Sequence, residues 1–451
     1  MKRLFGDRAF YKNLFIVAAP IVVQQLITSS VQLVDNVMVG RLGELAIGSV
    51  SVVNQLFFVV ILITFGAMGG AGVYTAQYFG SKDYPKLKQT FRFKILIGLA
   101  IALLSFFAFT LFGKMLISQF STNTQIIAYG VDYYSIIKWS MFPWAISVAI
   151  SNSFRETGIT KPLLNISIVA IITNTVLNYI LIFGKFGAPA LGITGAAIAT
   201  LISRVVEFGL MTLLLLRRGQ HFSTRVTSVF KIDKTLFWAI VVMAIPLTLN
   251  ETLWSTGQAM FLQAYSTRGE NALAAMNIAG AISQLVFITF GGIGTAVAVL
   301  VGNTLGRNEL KEAKENAIKL VTFAVLFAFL TGIILIILSF FVLGIYDVGE
   351  ETKQIAKFVI RINGIFIPVY SFNVAMYFTL RAGGDTRSTL MMDAGYMWVI
   401  SVPIAILLSR LTNLPVTILF LIVQLLDIPK MFFAVSRYRK EHWVKNLAIA
   451  E

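Results

Sequence analysis

The sequence predicts an all-α integral membrane protein with twelve transmembrane helices, arranged as two homologous six-helix halves. Three observations predict this class. First, 57% of the 451 residues are hydrophobic and only 13% are charged, whereas soluble chains carry roughly 25% charged residues. Second, uncharged runs of about 20 residues recur along the chain, the length that crosses a hydrocarbon core of roughly 30 Å. Third, the second half repeats landmarks of the first at an offset of about 226 residues. The period-two alternation of an outer-membrane barrel is absent.

The apolar runs place spans at 11–38, 48–79, 90–112, 126–152, 162–183, 190–216, 235–262, 272–303, 316–343, 352–380, 388–408 and 415–437. Several exceed the bilayer minimum, so tilted helices or protruding ends are expected. The first run follows a basic, polar stretch and shows no small-residue cleavage site. It is therefore expected to remain as a membrane segment rather than serve as a removable signal.

The formal charge of +16 would suggest nucleic acid in a soluble chain. Here the basic residues gather in alternate loops, which the positive-inside rule explains without nucleic acid. Of the 37 Lys and Arg, 27 fall on one side: at the N-terminus, in 81–94, at Arg155 and Lys161, in 217–234, in 307–319, at Arg381 and Arg387, and in the tail from Lys430. Eight fall on the other side, and Lys138 and Arg204 lie inside spans. This places both termini in the cytoplasm and the protein in a bacterial or archaeal cytoplasmic membrane. The absence of cysteine excludes disulfides, zinc ribbons and thiol nucleophiles. Two histidines, His221 and His442, both outside spans, exclude a histidine-rich metal or haem site. No convergent catalytic set and no Walker motif occur, so neither an enzyme nor direct use of ATP is expected.

The repeat is visible in three places. Pro20 in AAPIVVQQ meets Pro246 in AIPLTLNE, Gly80 in YFGSKDYPKLKQ meets Gly306 in TLGRNELKEAKE, and Arg155 and Gly158 in SFRETGITKP meet Arg381 and Gly384 in TLRAGGDTRS. An even number of helices per half makes the repeats parallel, related by an axis along the membrane normal. The expected organisation is an N-terminal lobe at 1–216, a cytoplasmic linker at 217–234 and a C-terminal lobe at 235–451. The linker is read as a plain connector rather than an amphipathic surface helix.

An ionisable group inside a span is expensive, so it has a partner or a function. Asp35 sits deep in the first span, and Asn174 and Asn178, four apart, share one face of the fifth. With the hydroxyl of Thr200 they form a hard oxygen set suited to Na⁺, and protonation of Asp35 would use the same shell. Polar glue between helices is the alternative reading. Glu251 is the second intramembrane acid, opposite Gln25 in the repeat. Arg204 and Glu207, three apart, suggest a simple pair. Asp393 and Asp427 suggest interfacial structure, and Lys138 is expected to snorkel. Gln25, Gln32, Asn54, Gln55, Asn250, Trp254, Gln258, Asn277, Gln284 and Asn373 are candidates for lining a substrate cavity. GAMGGAG in the second span and GGIGTA in the eighth would allow close helix approach.

The ordered set LVDNVMVGRLG, FRETGITKP, NTVLNYILIFGKFGAPALGITGAAIAT, PLTLNETLWS, NIAGAISQL and LRAGGDTR resembles the multidrug and toxic compound extrusion (MATE) family over almost the whole chain. The resemblance implies V-shaped lobes and export of cationic, amphipathic compounds in exchange for Na⁺ or H⁺, by a monomer with no other cofactor. It also implies a cation site at Asp35, Asn174, Asn178 and Thr200, and a coupling role for Glu251. The competing major facilitator class usually carries a Gly–Asp–Arg–Gly-type loop, which GSKDYPKLK does not fit. A lipid-linked sugar flippase of the same superfamily is the alternative function. Such proteins often line their cavity with basic residues, for which only Lys138 and Arg204 are candidates.

Overall fold

In the computed structural model, which describes residues 4–218, 221–346 and 348–449, the chain is helical from end to end. Its helices are α1 (Arg8–Gly40), α2 (Glu44–Ser81), α3 (Tyr84–Ser118), α4 (Thr124–Ile137), α5 (Met141–Glu156), α6 (Lys161–Phe183), α7 (Gly192–Arg218) and α8 (Lys234–Ser266). They continue with α9 (Glu270–Gly306), α10 (Leu310–Leu338), α11 (Glu350–Ala382), α12 (Thr386–Leu390), α13 (Val402–Leu411), α14 (Val416–Leu425) and α15 (Asp427–Arg439). Among the described residues, eleven helical runs are long and apolar enough to cross a membrane. The expected fourth span corresponds to α4 and α5, which a 3₁₀ turn at Lys138–Ser140 interrupts. The expected eleventh is also irregular: π-helical turns at Met391–Gly395 and Met397–Ser401 join α12 to α13.

The duplication extends to backbone conformation. Gly43 and Gly269, which open the turns before α2 and α9, have φ of 109° and 103°. Lys82 and Asn308 both adopt the left-handed conformation, at 61° and 64°. Gly158 and Gly384 share a φ of 81°, a region that a Cβ atom disfavours. Each closes its helix with the same pair of bonds. Gly158 N–H reaches the Arg155 carbonyl and Ile159 N–H the Phe154 carbonyl; Gly384 N–H reaches Arg381 and Asp385 N–H reaches Leu380. Asp83 and Asp385, which are not repeat partners, cap α3 and α12 by accepting from Lys86 N–H and Ser388 N–H.

Packing divides the chain into two compact units, Val23–Ala244 and Met1–Val22 with Ile245–Glu451. The boundaries fall within α1, just after Pro20, and within α8, just before Pro246. A proline inside a helix removes one backbone hydrogen bond, which lets the two ends of one helix serve different cores. Leu14, Val17, Ala18 and Ile21 of α1 accordingly join Leu247, Phe290 and Leu320 in the core of the second unit.

Small residues bring the helices into close approach. A Cβ on Gly70 would lie 2.7 Å from the backbone of Ala244, and one on Gly292 would lie 2.7 Å from the Val22 side chain. The linker is a docked connector with a 3₁₀ turn at Val226–Ser228; its residues 219 and 220 lie outside the described set, as do residues 1–3 and 450–451 of the expected lobes. Phe222 is buried edge-on against Phe91 and Phe154, and His221 stacks on Tyr84 at 4.4 Å. The tail of the second unit docks in the same manner. Trp443 is fully buried, stacks on Tyr438 and covers Gly383.

Candidate cation site and the polar clusters

The first unit brings Asp35, Asn174, Asn178 and Thr200 together. The four-residue spacing of the asparagines puts both amides on the face of α6 that meets α1 and α7. Asn178 donates to Asp35 Oδ1 at 2.9 Å. With its amide turned so that nitrogen faces the acid, Asn174 donates to both carboxylate oxygens at 3.0 and 3.2 Å. The same side chain lies 3.4 Å from the Thr200 hydroxyl. Asn178 is only 2% exposed, and its carbonyl oxygen is buried with no hydrogen-bond partner. That is costly in a membrane interior. The Asp35 carboxylate and the Thr200 hydroxyl are hard oxygen donors of the kind that Na⁺ takes, and the carboxylate can equally accept a proton. Tyr133 of α4 is buried beside Thr200 and near enough to Asp35 for its charge to act on the phenol. The sequence held no signal for it, because a tyrosine within an apolar helix resembles any core aromatic.

A second cluster in this unit was not visible in the sequence. Lys94 is completely buried and forms an ion pair with Glu156, with Ser153 accepting a further bond at 3.2 Å. Counting Lys94 among the loop cations therefore needs correction. It lies three turns into α3, and Gly72 leaves the room that the Glu156 carboxylate occupies. Nearby, Arg155 donates to Gln24 Oε1 at 3.2 Å, and Gln24 donates to Ser167 at 2.5 Å. Arg204 pairs with Glu207 at 2.8 Å. Lys138 donates to Thr110 at 3.0 Å and lies over the ring of Phe106, so both intramembrane cations have partners.

In the second unit, Glu251 is half-buried and has no hydrogen-bond partner among the described residues, with Arg381 and Asp393 near enough for their charges to act on it. Its neighbour Asn250 is buried, donates to Asp393 at 3.1 Å and accepts from the Ala394 N–H at 3.1 Å. Lys430 donates to the other oxygen of Asp393 at 2.6 Å. Asp393, in the π-helical turn Met391–Gly395, and Lys430 of α15 thus form a largely buried ion pair. Asn373 is also buried and donates to the Asp427 carbonyl at 3.2 Å. Of the other cavity candidates, Gln32, Asn54, Gln55, Gln258, Asn277 and Gln284 are exposed, whereas Gln25 and Trp254 are half-buried. The Gln25 side-chain oxygen is buried without a partner.

The MatE family model matches residues 20–180 and 246–407, once in each half. A Bacillus subtilis (strain 168) protein named "Probable multidrug resistance protein YoeA" is 27% identical, covering 90% of this chain and 88% of its own length. A Bradyrhizobium diazoefficiens protein named "Probable multidrug resistance protein NorM" is 28% identical over 88% of this chain and 86% of its own. The crystal structure of the D35N mutant of the Vibrio cholerae MATE transporter VcmN superposes with a TM-score of 0.88 at 20% identity, covering 96% of this chain and 97% of the other. At that identity the likeness establishes the twelve-helix fold.

Proposed function

Since the chain belongs to the MatE family, and is thus a multi-pass membrane transporter rather than an enzyme, we propose that it exports organic, mainly cationic amphipathic compounds in exchange for Na⁺ or H⁺. The names of its relatives support a multidrug substrate range. The single observation that carries the coupling is the Asp35 site: a carboxylate held by two asparagine amides beside a buried, unpartnered carbonyl oxygen.

The proposed cycle follows from the cost of charge. With the site open to the outside, Na⁺ or H⁺ neutralises Asp35 and lowers the cost of burying it. The neutral site favours release of the cationic compound outward and return to the inward-open state. Loss of the ion to the cytoplasm restores the negative charge, which favours loading of the next cation. Coupling requires only that ion and compound prefer different states, and a switchable buried charge supplies that difference. Glu251, with no hydrogen-bond partner among the described residues, serves as a second point where a cation is met. Even without Lys94 and Lys430, the 25-to-8 distribution of basic residues supports cytoplasmic termini.

The test is efflux of a fluorescent organic cation from proteoliposomes, with Na⁺ and pH gradients imposed separately. Wild type should respond to at least one gradient. Asp35→Asn should insert normally and lose that response. Wild-type coupling in Asp35→Asn would overturn the assignment, and the effective gradient names the ion.

A further inference from the structure

The two units treat one structural position in opposite ways. In the first unit, Gln24 of α1 meets Ser167 of α6, and Arg155 at the end of α5 donates to Gln24. The repeat places Asn250, Asp393 and Arg381 at these positions, and Asn250 meets Asp393 as Gln24 meets Ser167. The contact is shared by the halves while its chemistry is not. A neutral hydroxyl in one half is a carboxylate in the other. Conversely, Asp35 has Phe261 as its repeat partner, so the second unit lacks the acid of the first at that level.

A carboxylate within a membrane helix needs compensation. For Asp393 it comes from the chain itself. Lys430 of α15 places its ammonium 2.6 Å from Oδ1, and the Asn250 amide donates to Oδ2 at 3.1 Å. The two side chains of the ion pair are only 11% and 20% exposed. Both oxygens therefore have a donor, and the cation cannot leave. Asp427, one turn before Lys430, lies close enough to add a second attraction for the same ammonium. Asp393 itself sits in the π-helical turn Met391–Gly395, a rare geometry that recurs at functional positions in helices.

We propose that Lys430 is a tethered cation, which permanently neutralises Asp393 in the second unit so that this carboxylate is withdrawn from ion exchange and the switchable charge rests with Asp35. A covalently held ammonium cannot be exchanged across the membrane and so cannot draw on a gradient. The proposal rests on the ion-coupled reading above.

Thermal denaturation of purified protein tests it, in NaCl against choline chloride and at neutral against acidic pH. The measurements are made in the Asp35→Asn background, so that the first unit does not respond. Asp35→Asn should lose most of the wild-type response to Na⁺ and to acid, leaving only what Glu251 contributes; a response of wild-type size would instead locate the coupling ion elsewhere and overturn the functional reading. Adding Lys430→Met should lower the Tm, and Na⁺ or acid should restore it by occupying the exposed carboxylate. Replacing Asp393 by Asn as well should abolish both the loss and the added sensitivity. A Lys430→Met protein no more sensitive than its parent overturns the proposal. If Lys430→Met does not fold, recovery of a parent-like Tm on adding Asp393→Asn supports it, and failure of that combination to fold overturns it.

Discussion

Lys94 is completely buried in the first unit, yet its repeat partner is Leu320, and the partner of Glu156 is Ala382. The fold therefore accommodates both an ion pair and an apolar pair at one place. Removing one member of a buried pair strands the other charge and costs about 3–5 kcal/mol, whereas apolar replacement of both is often neutral. Lys94→Leu should thus destabilise strongly, and Lys94→Leu with Glu156→Ala should recover most of the loss in Tm. At the cation site, Asn178→Ala removes the 2.9 Å bond to Asp35 and the unpartnered oxygen together. Loss of groups that orient a ligating residue typically costs 10–100-fold in affinity, so the ion concentration for half-maximal efflux should rise by roughly that factor. Asp35, Asn174, Asn178 and Thr200 were legible in the sequence because polar residues within apolar spans stand out, and helical spacing aligns two of them. Lys94 and Lys430 were not. Charge counting assigns a lysine near a helix end to the loop, and only packing reveals that it points inward.

At the level of the helix, small residues decide how closely neighbours pack. A Cβ on Gly70 already lies 2.7 Å from the Ala244 backbone, and backbone cannot move aside as a side chain can. Gly70→Val should cost about 1–3 kcal/mol or more through overpacking, lowering the Tm and the yield of inserted protein. Gly280 has nothing within 4 Å of its would-be Cβ and provides the control, with Gly280→Ala expected to be nearly silent. The sequence located the spans because a run of apolar residues is sufficient signal for a membrane helix. It did not reveal the 3₁₀ turn at Lys138–Ser140 or the π-helical turns after α12. Those depend on how backbone bonds re-pair under packing, which hydropathy does not encode.

For the molecule as a whole, the repeat in the sequence and the units in space have different edges. The sequence repeats about the linker near 217–234, while packing changes hands at Val22 and Ala244. Landmarks such as Gly158 and Gly384 made the repeat readable, because a left-handed turn can be recognised from its glycine. The exchange of helix ends was hidden, since it joins residues far apart in the chain, 174 positions for Gly70 and Ala244 and 270 for Val22 and Gly292. Fission of the gene at the linker would yield two polypeptides, neither containing all of one core. The first would lack residues 234–244 of its own unit and carry an N-terminal strip that belongs to the other. Each fragment expressed alone should be degraded, whereas co-expression should rescue both, measured by their abundance in the membrane. Because each unit needs a strip carried by the other half, a single chain ensures that both halves are made together and in equal number.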